Sequence, residues 1–399
     1  ALISLLPMKK ISSQAYMDKS MSGLAEFVIK RKNFLLFSTA TIAAVLIFGI
    51  TKISLEDDFL RYFDKKYELR QSIDYYEEKF GGLNALEYSI NSGKENGIND
   101  PEYLQKVNDL VEFMRNQPKV TSVRSYTDVV KRLNQNFNND DQSFYKIPSS
   151  ELEAAQYLFL YELSLGYGLD LTDQINVDKS ALRVTANVAN ATTKEFLDLD
   201  KTIQGWFKEN APELMSKSTG PSQVFSQISS RDVPAMLKGT GFALIGISFI
   251  ILLVIRNIKY GLMSLIPNLL PAAMAFGLWG YYTGSVTLAV SIVVAMTLGI
   301  VVDDSVHFML KYAKARKNGK SPEDSVRDAF QKVGMALTTT TIGLFLGFCV
   351  LAQSGFTVNK DMAQLTAITV VFALIVDYLL LPPILIMIDN FKTKRRASS

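Results

Sequence analysis

This 399-residue chain carries six long apolar stretches, separated by polar segments of very different lengths. The stretches are residues 34–53, 239–255, 260–282, 286–310, 335–354 and 362–388. Crossing ~30 Å of hydrocarbon takes about 20 residues of α-helix, so each stretch has a suitable length to span a bilayer. The pattern predicts one membrane helix, a large polar domain over residues 54–232, and five more membrane helices.

The polar domain alternates between strand and helix periodicities. Residues 85–90 alternate apolar and polar side chains, residues 101–116 have helical spacing, and residues 120–126 again suit a strand. A second unit of the same kind follows, with a strand at 181–188, a helix at 194–210 and a short strand at 215–219. Two β-α-β units predict an α+β domain of the ferredoxin-like kind, with residues 151–167 as an extra helical insertion.

Helix-start signals stand before two of the predicted helices. Asp100 and Pro101 occupy the N-cap and first position of the first helix in the polar domain, and Ser321 and Pro322 do so near the fifth apolar stretch. The segment near residues 321–333 is therefore predicted to be a short amphipathic helix. It either lies on the inner face of the membrane or packs on the helix ends as a connector.

Positive charge is concentrated in four places beside the apolar stretches. These are Lys30, Arg31 and Lys32; Arg256 and Lys259; Lys311, Lys314, Arg316, Lys317, Lys320, Arg327 and Lys332; and Lys392, Lys394, Arg395 and Arg396. Six successive helices put all four places on one side, which the positive-inside rule makes cytoplasmic. The chain then divides into a cytoplasmic segment (1–33), a membrane helix (34–53), an external domain (54–232), five membrane helices (233–391) and a basic tail (392–399).

Composition narrows the function classes. The net charge of +3, from 42 basic and 39 acidic residues, is too small to indicate binding of nucleic acid. One histidine and one cysteine cannot make a common zinc site, and Cys349 alone can form no intrachain disulfide. The sequence has no phosphate-binding glycine loop and no Gly-x-Ser-x-Gly elbow. We therefore expect no enzyme, no cofactor, no metal site and no nucleic-acid partner.

Asp303 and Asp304 lie side by side in the fourth apolar stretch, and His307 follows within about one helical turn. A charge at membrane depth costs at least about 2.5–3.5 kcal/mol on insertion scales, and such residues usually mark ion or proton pathways. Two close carboxylates rarely both ionise at low dielectric, so one is expected to hold a proton near neutral pH. His307 is spaced to meet either carboxylate. Two alternatives remain. The carboxylates can belong to a buried polar cluster that is permanently paired, and His307 can lie in water near the cytoplasmic end without a role in function.

Polar residues in the last two apolar stretches are candidates to assist the Asp pair. Thr338, Thr339 and Thr340 belong to a run of four threonines, which puts at least one hydroxyl on whichever face meets the fourth helix. They are expected either to hydrogen-bond the Asp pair or to hold the helices together. Asp377 in the sixth stretch is expected to be either a further relay site or a residue near the membrane exit.

Three segments carry a resemblance to a known group of proteins. They are residues 299–312 with Gly-Ile-Val-Val-Asp-Asp, residues 336–343 with Gly347 and Phe348, and residues 80–82 together with 118–123. In this layout the chain resembles one half of a resistance-nodulation-division (RND) superfamily transporter. It is most similar to MMPL-like and "predicted exporter" members, which are related to sterol-sensing-domain proteins.

The resemblance implies a fold and a function. The fold is an α-helical membrane domain of six transmembrane helices, RND- and sterol-sensing-domain-like, with a ferredoxin-like periplasmic porter-type domain inserted between helices 1 and 2. The function is proton-motive-force-driven export of lipid-like or other hydrophobic or amphiphilic cargo, at a bacterial inner membrane. Asp303 and Asp304 are then the proton relay, with His307 and the threonines assisting.

The chain departs from that superfamily in two respects. RND transporters have two such repeats in one chain, so a missing N-terminal half or a homo-oligomer is expected, with the first residues as the tail of a preceding helix. The lysine that many drug-efflux members place opposite the Asp pair has no counterpart in the six stretches. That lysine belongs to a missing half, or His307 and the threonines replace it. We also expect no tripartite assembly with an outer-membrane protein, because the external domain has little room for a separate docking domain.

Three non-exporting functions stay open. They are a proton-driven accessory to protein translocation, a lipid-sensing regulator, and a scaffold that no longer pumps. An apolar tunnel through residues 54–232 would favour the exporter, whereas a packed domain with only a surface groove would favour an accessory.

Overall fold

The structure is a computed structural model that describes residues 14–56, 58–166, 170–189, 191–255 and 258–397. The chain forms two compact units. Glu56–Asp232 make up one of them, here called the inserted unit, and the chain on either side makes up the other, here called the membrane unit. The predicted tail of a preceding helix, in the first ten residues, lies outside the described residues.

Two helices of the membrane unit come before the inserted unit. They are α1 (Gln14–Lys30) and α2 (Lys32–Phe48), and a 3₁₀ turn (Gly49–Lys52) and a short strand β1 (Ser54–Leu55) follow. Helix α2 and its 3₁₀ turn coincide with the first predicted membrane helix. Helix α1 was not predicted, because it is not apolar all round. It buries only one stripe of residues, with Met21, Ala25 and Val28 at helical spacing.

The described residues of the inserted unit form six α-helices and four strands. In chain order they are α3 (Glu68–Phe80), β2 (Asn84–Asn91), α4 (Pro101–Arg115), β3 (Val120–Ser125), α5 (Tyr126–Phe137), α6 (Glu151–Ser164), β4 (Ala181–Val188), α7 (Thr193–Asn210), β5 (Ser218–Thr219) and α8 (Pro221–Gln227). Every strand and helix predicted in the polar domain is present within a few residues. Helix α6 is the predicted insertion, and Tyr167 at its predicted end lies outside the described residues.

The four strands form one antiparallel sheet in the order β3-β4-β2-β5. Strand β2 pairs with β4 along its whole length, from Asn84 opposite Val188 to Asn91 opposite Ala181. Leu86, Tyr88 and Ile90, two residues apart on β2, are fully buried and join one core with the apolar faces of α4 and α7. The period-two pattern thus sets the buried face of the sheet.

The N-terminus of α7 is held by a capping box that an ion pair reinforces. The Thr192 hydroxyl accepts from the Glu195 backbone N–H at 3.3 Å, and the Glu195 carboxylate accepts from the Thr192 N–H at 2.9 Å. Lys119 Nζ donates to the same carboxylate at 2.6 Å. The Lys119 ammonium and the capping bonds lower the pKa of Glu195 from 4.5 to about 2.

This capping box predicts acid sensitivity at one helix end. A lowered carboxyl pKa stabilises the fold above pH 4.5, and that contribution is lost as the pH falls towards about 2. In the full chain, amide hydrogen-exchange protection of the first turn of α7 should therefore fall across this window, and Glu195→Gln should flatten the dependence. Lys119→Met should reproduce most of the effect. Parallel pH curves for wild type and Glu195→Gln would rule the explanation out.

The membrane unit resumes after Asp232. In chain order it contains α9 (Val233–Ile255), α10 (Ile258–Met263), α11 (Leu265–Tyr282), β6 (Ser285–Val286), α12 (Leu288–Lys317), α13 (Pro322–Ala329), α14 (Met335–Leu351), α15 (Thr357–Ile375) and α16 (Leu381–Ala397). Strand β6 pairs in parallel with β1. In the part of the chain that the structure describes, six helical segments are long and apolar enough to cross a membrane. The predicted number of spans is confirmed.

Two π-helical turns interrupt the last two spans. One, at Phe330–Gly334, joins α13 to α14, and the other, at Val376–Leu380, joins α15 to α16. The predicted cap of α13 is confirmed, because Ser321 Oγ accepts from the Asp324 N–H at 3.0 Å. The apolar stripe of α13 is buried in one cluster with that of α1. Helix α13 therefore packs on neighbouring helices as a connector, which is the second alternative predicted for the segment near residues 321–333.

Candidate functional site

The two adjacent carboxylates lie on different faces of α12. The Asp303 side chain is 72% exposed and the His307 side chain 55% exposed, and His307 Nε2 is 3.3 Å from Asp303 Oδ1. Asp304 is half-buried. Because a helix turns about 100° per residue, one residue of an adjacent pair points outward while the other turns towards the neighbouring helices. The structure thus pairs His307 with Asp303.

The residue after the Asp pair connects α12 to the sixth span. Ser305 Oγ donates to Asp377 Oδ1 at 2.7 Å, and both residues are almost completely buried. Asp377 stands in the π-helical turn at Val376–Leu380. Asp377 therefore lies in the interior of the membrane unit. Neither Ser305 nor its contact was predicted, although Ser305 directly follows the Asp pair.

Tyr378, the next residue in the π turn, connects the sixth span to the fifth. Its hydroxyl lies 2.9 Å from Thr338 Oγ1 and also donates to the Gly334 carbonyl oxygen. Thr338 Oγ1 donates to the same carbonyl at 3.0 Å. Both π turns take part, because Gly334 ends one and Tyr378 belongs to the other. Single-turn π-helices occur often at functional sites, since they re-aim side chains and free backbone oxygens.

The threonine run serves its own helix more than the Asp pair. Thr339 Oγ1 donates to the Met335 carbonyl at 2.9 Å, and Thr340 Oγ1 to the carbonyls of Ala336 and Leu337. Thr339 and Thr340 are exposed and Thr338 is half-buried. Of the three predicted threonines, Thr338 is the one for which the structure shows a contact with another polar side chain, and that side chain is Tyr378 rather than an aspartate.

The residues of these contacts occupy neighbouring positions on α12 and on the π turn of the sixth span, with Thr338 on α14, and together they are here called the polar path. It runs from the exposed Asp303 and His307, through Asp304 on the same helix, to Ser305 with Asp377, and on to Tyr378 with Thr338. Each member carries an oxygen or nitrogen that can gain, lose or share a proton.

A second buried carboxylate, Asp389 on α16, was not predicted. Asp389 Oδ2 accepts from Tyr260 at 3.0 Å, from Tyr312 at 2.8 Å and from Arg316 Nε at 2.9 Å. Its side chain is only 6% exposed. The residue lies just beyond the last apolar stretch, where it resembles an ordinary polar end. Its three donors come from two other helices, so it ties α10, α12 and α16 together.

Clefts on the inserted unit are lined by polar residues. One has a volume of about 560 Å³ and is lined by Asp200, Gln204, Lys217, Gln223 and Arg231 among others. A second, of about 540 Å³, includes Glu87, Thr172, Asn176 and Arg183 in its lining. Between them, Tyr88 donates to Asp200 at 2.6 Å, and burial together with that carboxylate raises the pKa of Tyr88. Both are open surface grooves. In the described part of the chain, no three His, Cys, Asp or Glu side chains are grouped to hold a metal ion.

Comparison with known proteins identifies a relative in sequence and a solved structure with a similar fold. A protein of the archaeon Methanocaldococcus jannaschii, whose description goes no further than a membrane protein, is 21% identical over 367 residues, which cover 90% of this chain and 91% of the relative. The structure of the hedgehog release protein Disp from the water bear Hypsibius dujardini matches with a TM-score of 0.54 at 11% identity. That match covers 96% of this chain and 51% of the Disp chain, so this chain spans about half the length of that relative and shares its fold.

The sequence profile of the MMPL family matches residues 68–399. That region contains both π turns, five of the six membrane spans and every residue of the polar path. The chain is thus a multi-pass membrane protein of the RND type, and it belongs to the MMPL family.

Proposed function

We propose that this chain is an RND-type exporter, driven by the proton-motive force, that moves lipid-like or other hydrophobic or amphiphilic molecules out of the inner membrane or periplasm. The observation that carries the proposal is the polar path inside the membrane unit, with Asp303 and Asp304 at its outer end. Family membership and the shared fold with Disp support the transporter class. The cargo chemistry rests on the resemblance of the sequence to MMPL-like exporters.

The outer end of the path is proposed to meet a second set of membrane helices. The side chains of Asp303 and His307 are more than half exposed, yet both lie within a membrane span. A charged group facing lipid costs about 2.5–3.5 kcal/mol or more, so these side chains need a polar environment. A second repeat of the same kind or a second copy of this chain would supply one.

The inserted unit is proposed to be the ferredoxin-like, porter-type domain on the periplasmic side of a bacterial inner membrane. The strand order β3-β4-β2-β5, with α4 between β2 and β3 and α7 between β4 and β5, supports the ferredoxin-like assignment. The distribution of lysine and arginine supports the location, because the positive charge beside the spans falls on the opposite side.

A second candidate is a non-exporting accessory to protein translocation or a lipid-sensing regulator. The described clefts of the inserted unit, of about 560 and 540 Å³, are open grooves rather than enclosed cavities. Grooves of this kind favour contact with a partner over passage of an apolar molecule, since a hydrophobic cargo is better accommodated by a mostly apolar cavity. This candidate retains the polar path as its energy source or its sensor.

Loss of proton coupling in carboxylate variants tests the proposed function. We expect Asp303→Asn and Asp304→Asn each to reduce growth complementation or transport by the full-length protein by at least about tenfold, because an amide cannot bind and release the transported proton. A protonophore should reduce the wild type to the same level. The measurement compares wild type, both variants and the protonophore-treated wild type at equal membrane abundance.

Asp198→Asn is the matched control. Asp198 lies on α7 in the inserted unit, and its surface ion pair with Lys201 contributes little. Complementation by this variant should equal that of the wild type. If Asp303→Asn and Asp304→Asn also function normally, proton-driven transport through this pair is excluded and the accessory or regulator becomes the better interpretation.

A further inference from the structure

Asp377 is the most deeply buried carboxyl group of the polar path. It is 1% exposed, and its Oδ1 accepts the Ser305 hydroxyl at 2.7 Å. Its second oxygen, Oδ2, is buried without a hydrogen-bond partner among the described residues. An ionised carboxylate in that position would leave most of its charge uncompensated, which is among the costliest arrangements in a protein interior.

In the described part of the chain, no cation is paired with Asp377. Of the two helices that flank its π turn, α15 carries Lys360 and Asp361 in its first two turns, and α16 carries Asp389, which Tyr260, Tyr312 and Arg316 hold. Helices α2 and α11 pack on the π turn and, apart from Lys32 at the start of α2, their described residues bear neither Lys, Arg nor His. Helix α12 presents Asp303, Asp304 and His307, and His307 is already paired with Asp303. From the other π turn, Phe330 packs on Tyr378, while Lys332 is paired with Asp328 at 2.6 Å. The surroundings therefore favour the neutral, protonated acid.

The serine that binds Asp377 directly follows the Asp pair in the chain. Asp304 immediately precedes Ser305, which holds Asp377, and Asp304 is half-buried whereas Asp303 is largely exposed. Exposure thus decreases stepwise from Asp303 to Asp304 to Asp377. The π turn also places Tyr378 beside Asp377, with its hydroxyl bonded to Thr338 and Gly334. A permanently neutral structural acid would not require such a graded connection.

We infer that Asp377 is a proton-binding residue of this membrane unit, positioned by Ser305, and that it exchanges its proton with Asp304. When the proton moves from the more exposed to the buried carboxyl group, the O–H bond on the Asp304 carboxyl breaks and an O–H bond forms on Asp377 Oδ2. Asp304 is left as the carboxylate and Asp377 becomes the neutral acid. Ser305 keeps its hydrogen bond to Oδ1 in both states. The inference deepens the proposed function by adding an inner proton site to it.

Infrared difference spectroscopy of the purified full-length protein tests this inference directly. The carbonyl-stretch band of a protonated carboxylic acid should be present at neutral pH and should disappear as the pH is raised. It should be absent from Asp377→Asn. In Ser305→Ala the band should remain and shift to higher frequency, because the hydrogen bond to the carbonyl oxygen is lost. Ser305→Ala thus tests the site with the titrating group still in place.

Two variants control for unspecific effects. Asp361→Asn removes a carboxyl group near the start of α15, and Ser291→Ala removes a buried α12 hydroxyl that donates to its own helix at Leu288. Both should keep the band unshifted. The inference would be overturned if Asp377→Asn removed no carbonyl-stretch band from the wild-type spectrum. It would also be overturned if the wild-type band stayed unchanged over the whole pH range in which the protein is folded.

The infrared measurement needs neither cargo nor a proton gradient. Transport that depends on Asp303 and Asp304, together with a missing Asp377 band, would leave the proposed function standing and refute the inner site. An Asp377 band that titrates, in a protein whose activity is unaffected by Asp303→Asn, Asp304→Asn and the protonophore, would support the inner site and refute the proposed function. Failure of the one is therefore distinguishable from failure of the other.

Discussion

Replacing Asp389 by alanine is expected to lower the free energy of unfolding of the membrane unit by about 3 kcal/mol. The substitution leaves the Arg316 guanidinium and the hydroxyls of Tyr260 and Tyr312 without the carboxylate they share, at distances of 2.8–3.0 Å. Removing one member of a buried charged network costs far more than the network gains on forming, since the remaining polar groups stay desolvated. Equilibrium unfolding in detergent micelles, followed by Trp279 fluorescence in a Trp206→Phe background, measures the change.

Asn390→Ala supplies the neighbouring control. Asn390 donates to Glu323 at 3.2 Å in a partly buried position, so its loss should cost about 1 kcal/mol or less. Tyr312→Phe should be intermediate, because one donor is lost while Asp389 keeps the other two. Equal unfolding free energies for Asp389→Ala and Asn390→Ala would show that the buried cluster does not tie the helices together.

Gly277→Ala is expected to destabilise the packing of α2 on α11 by about 3 kcal/mol or more. A Cβ atom on Gly277 would overlap the Leu46 carbonyl group, and one on Gly280 would overlap the carbonyl of Gly49. The obstructing atoms belong to the backbone, so no side-chain rotation can relieve the overlap. Small residues at such crossings let membrane helices approach closely, and the Tyr281 hydroxyl donates to the Val45 carbonyl at 3.0 Å at the same crossing.

Gly299→Ala and Gly343→Ala are matched controls in two other spans. A Cβ at either position has no heavy atom within 4 Å apart from its own helix. Alanine is also the better helix former by about 1 kcal/mol, so both variants should be neutral or slightly more stable. The Trp279 assay compares all three variants. If Gly277→Ala unfolds like these controls, the close approach of α2 and α11 makes no measurable contribution to stability.

The polar path also explains why the Asp pair is not a symmetrical pair. Asp303 faces outward with His307, whereas Asp304 is half-buried and directly precedes Ser305, which binds Asp377. The two residues differ in surroundings before any proton moves. This asymmetry predicts that the infrared difference spectra of Asp303→Asn and Asp304→Asn differ from each other, even where both variants abolish transport.

Local patterns in the sequence determined most of the elements. Apolar length determined the six spans, and period-two alternation determined which face of β2 is buried, because each signal depends on residues close together in the chain. Capping residues such as Asp100 and Ser321 marked helix starts for the same reason. The Asp303–His307 contact also followed from spacing alone, since residues four apart share one helix face.

The tertiary structure decided which polar residues meet across helices. Ser305 with Asp377, Thr338 with Tyr378, and Asp389 with its three donors join residues that are 40 to 129 positions apart. Helix rotation and the two π turns set these contacts, and neither leaves a periodic signal in the sequence. The same holds for Asp303, whose exposure depends on how α12 is turned against its neighbours. The sequence therefore identified carboxylates within the spans, while packing decided which of them is buried.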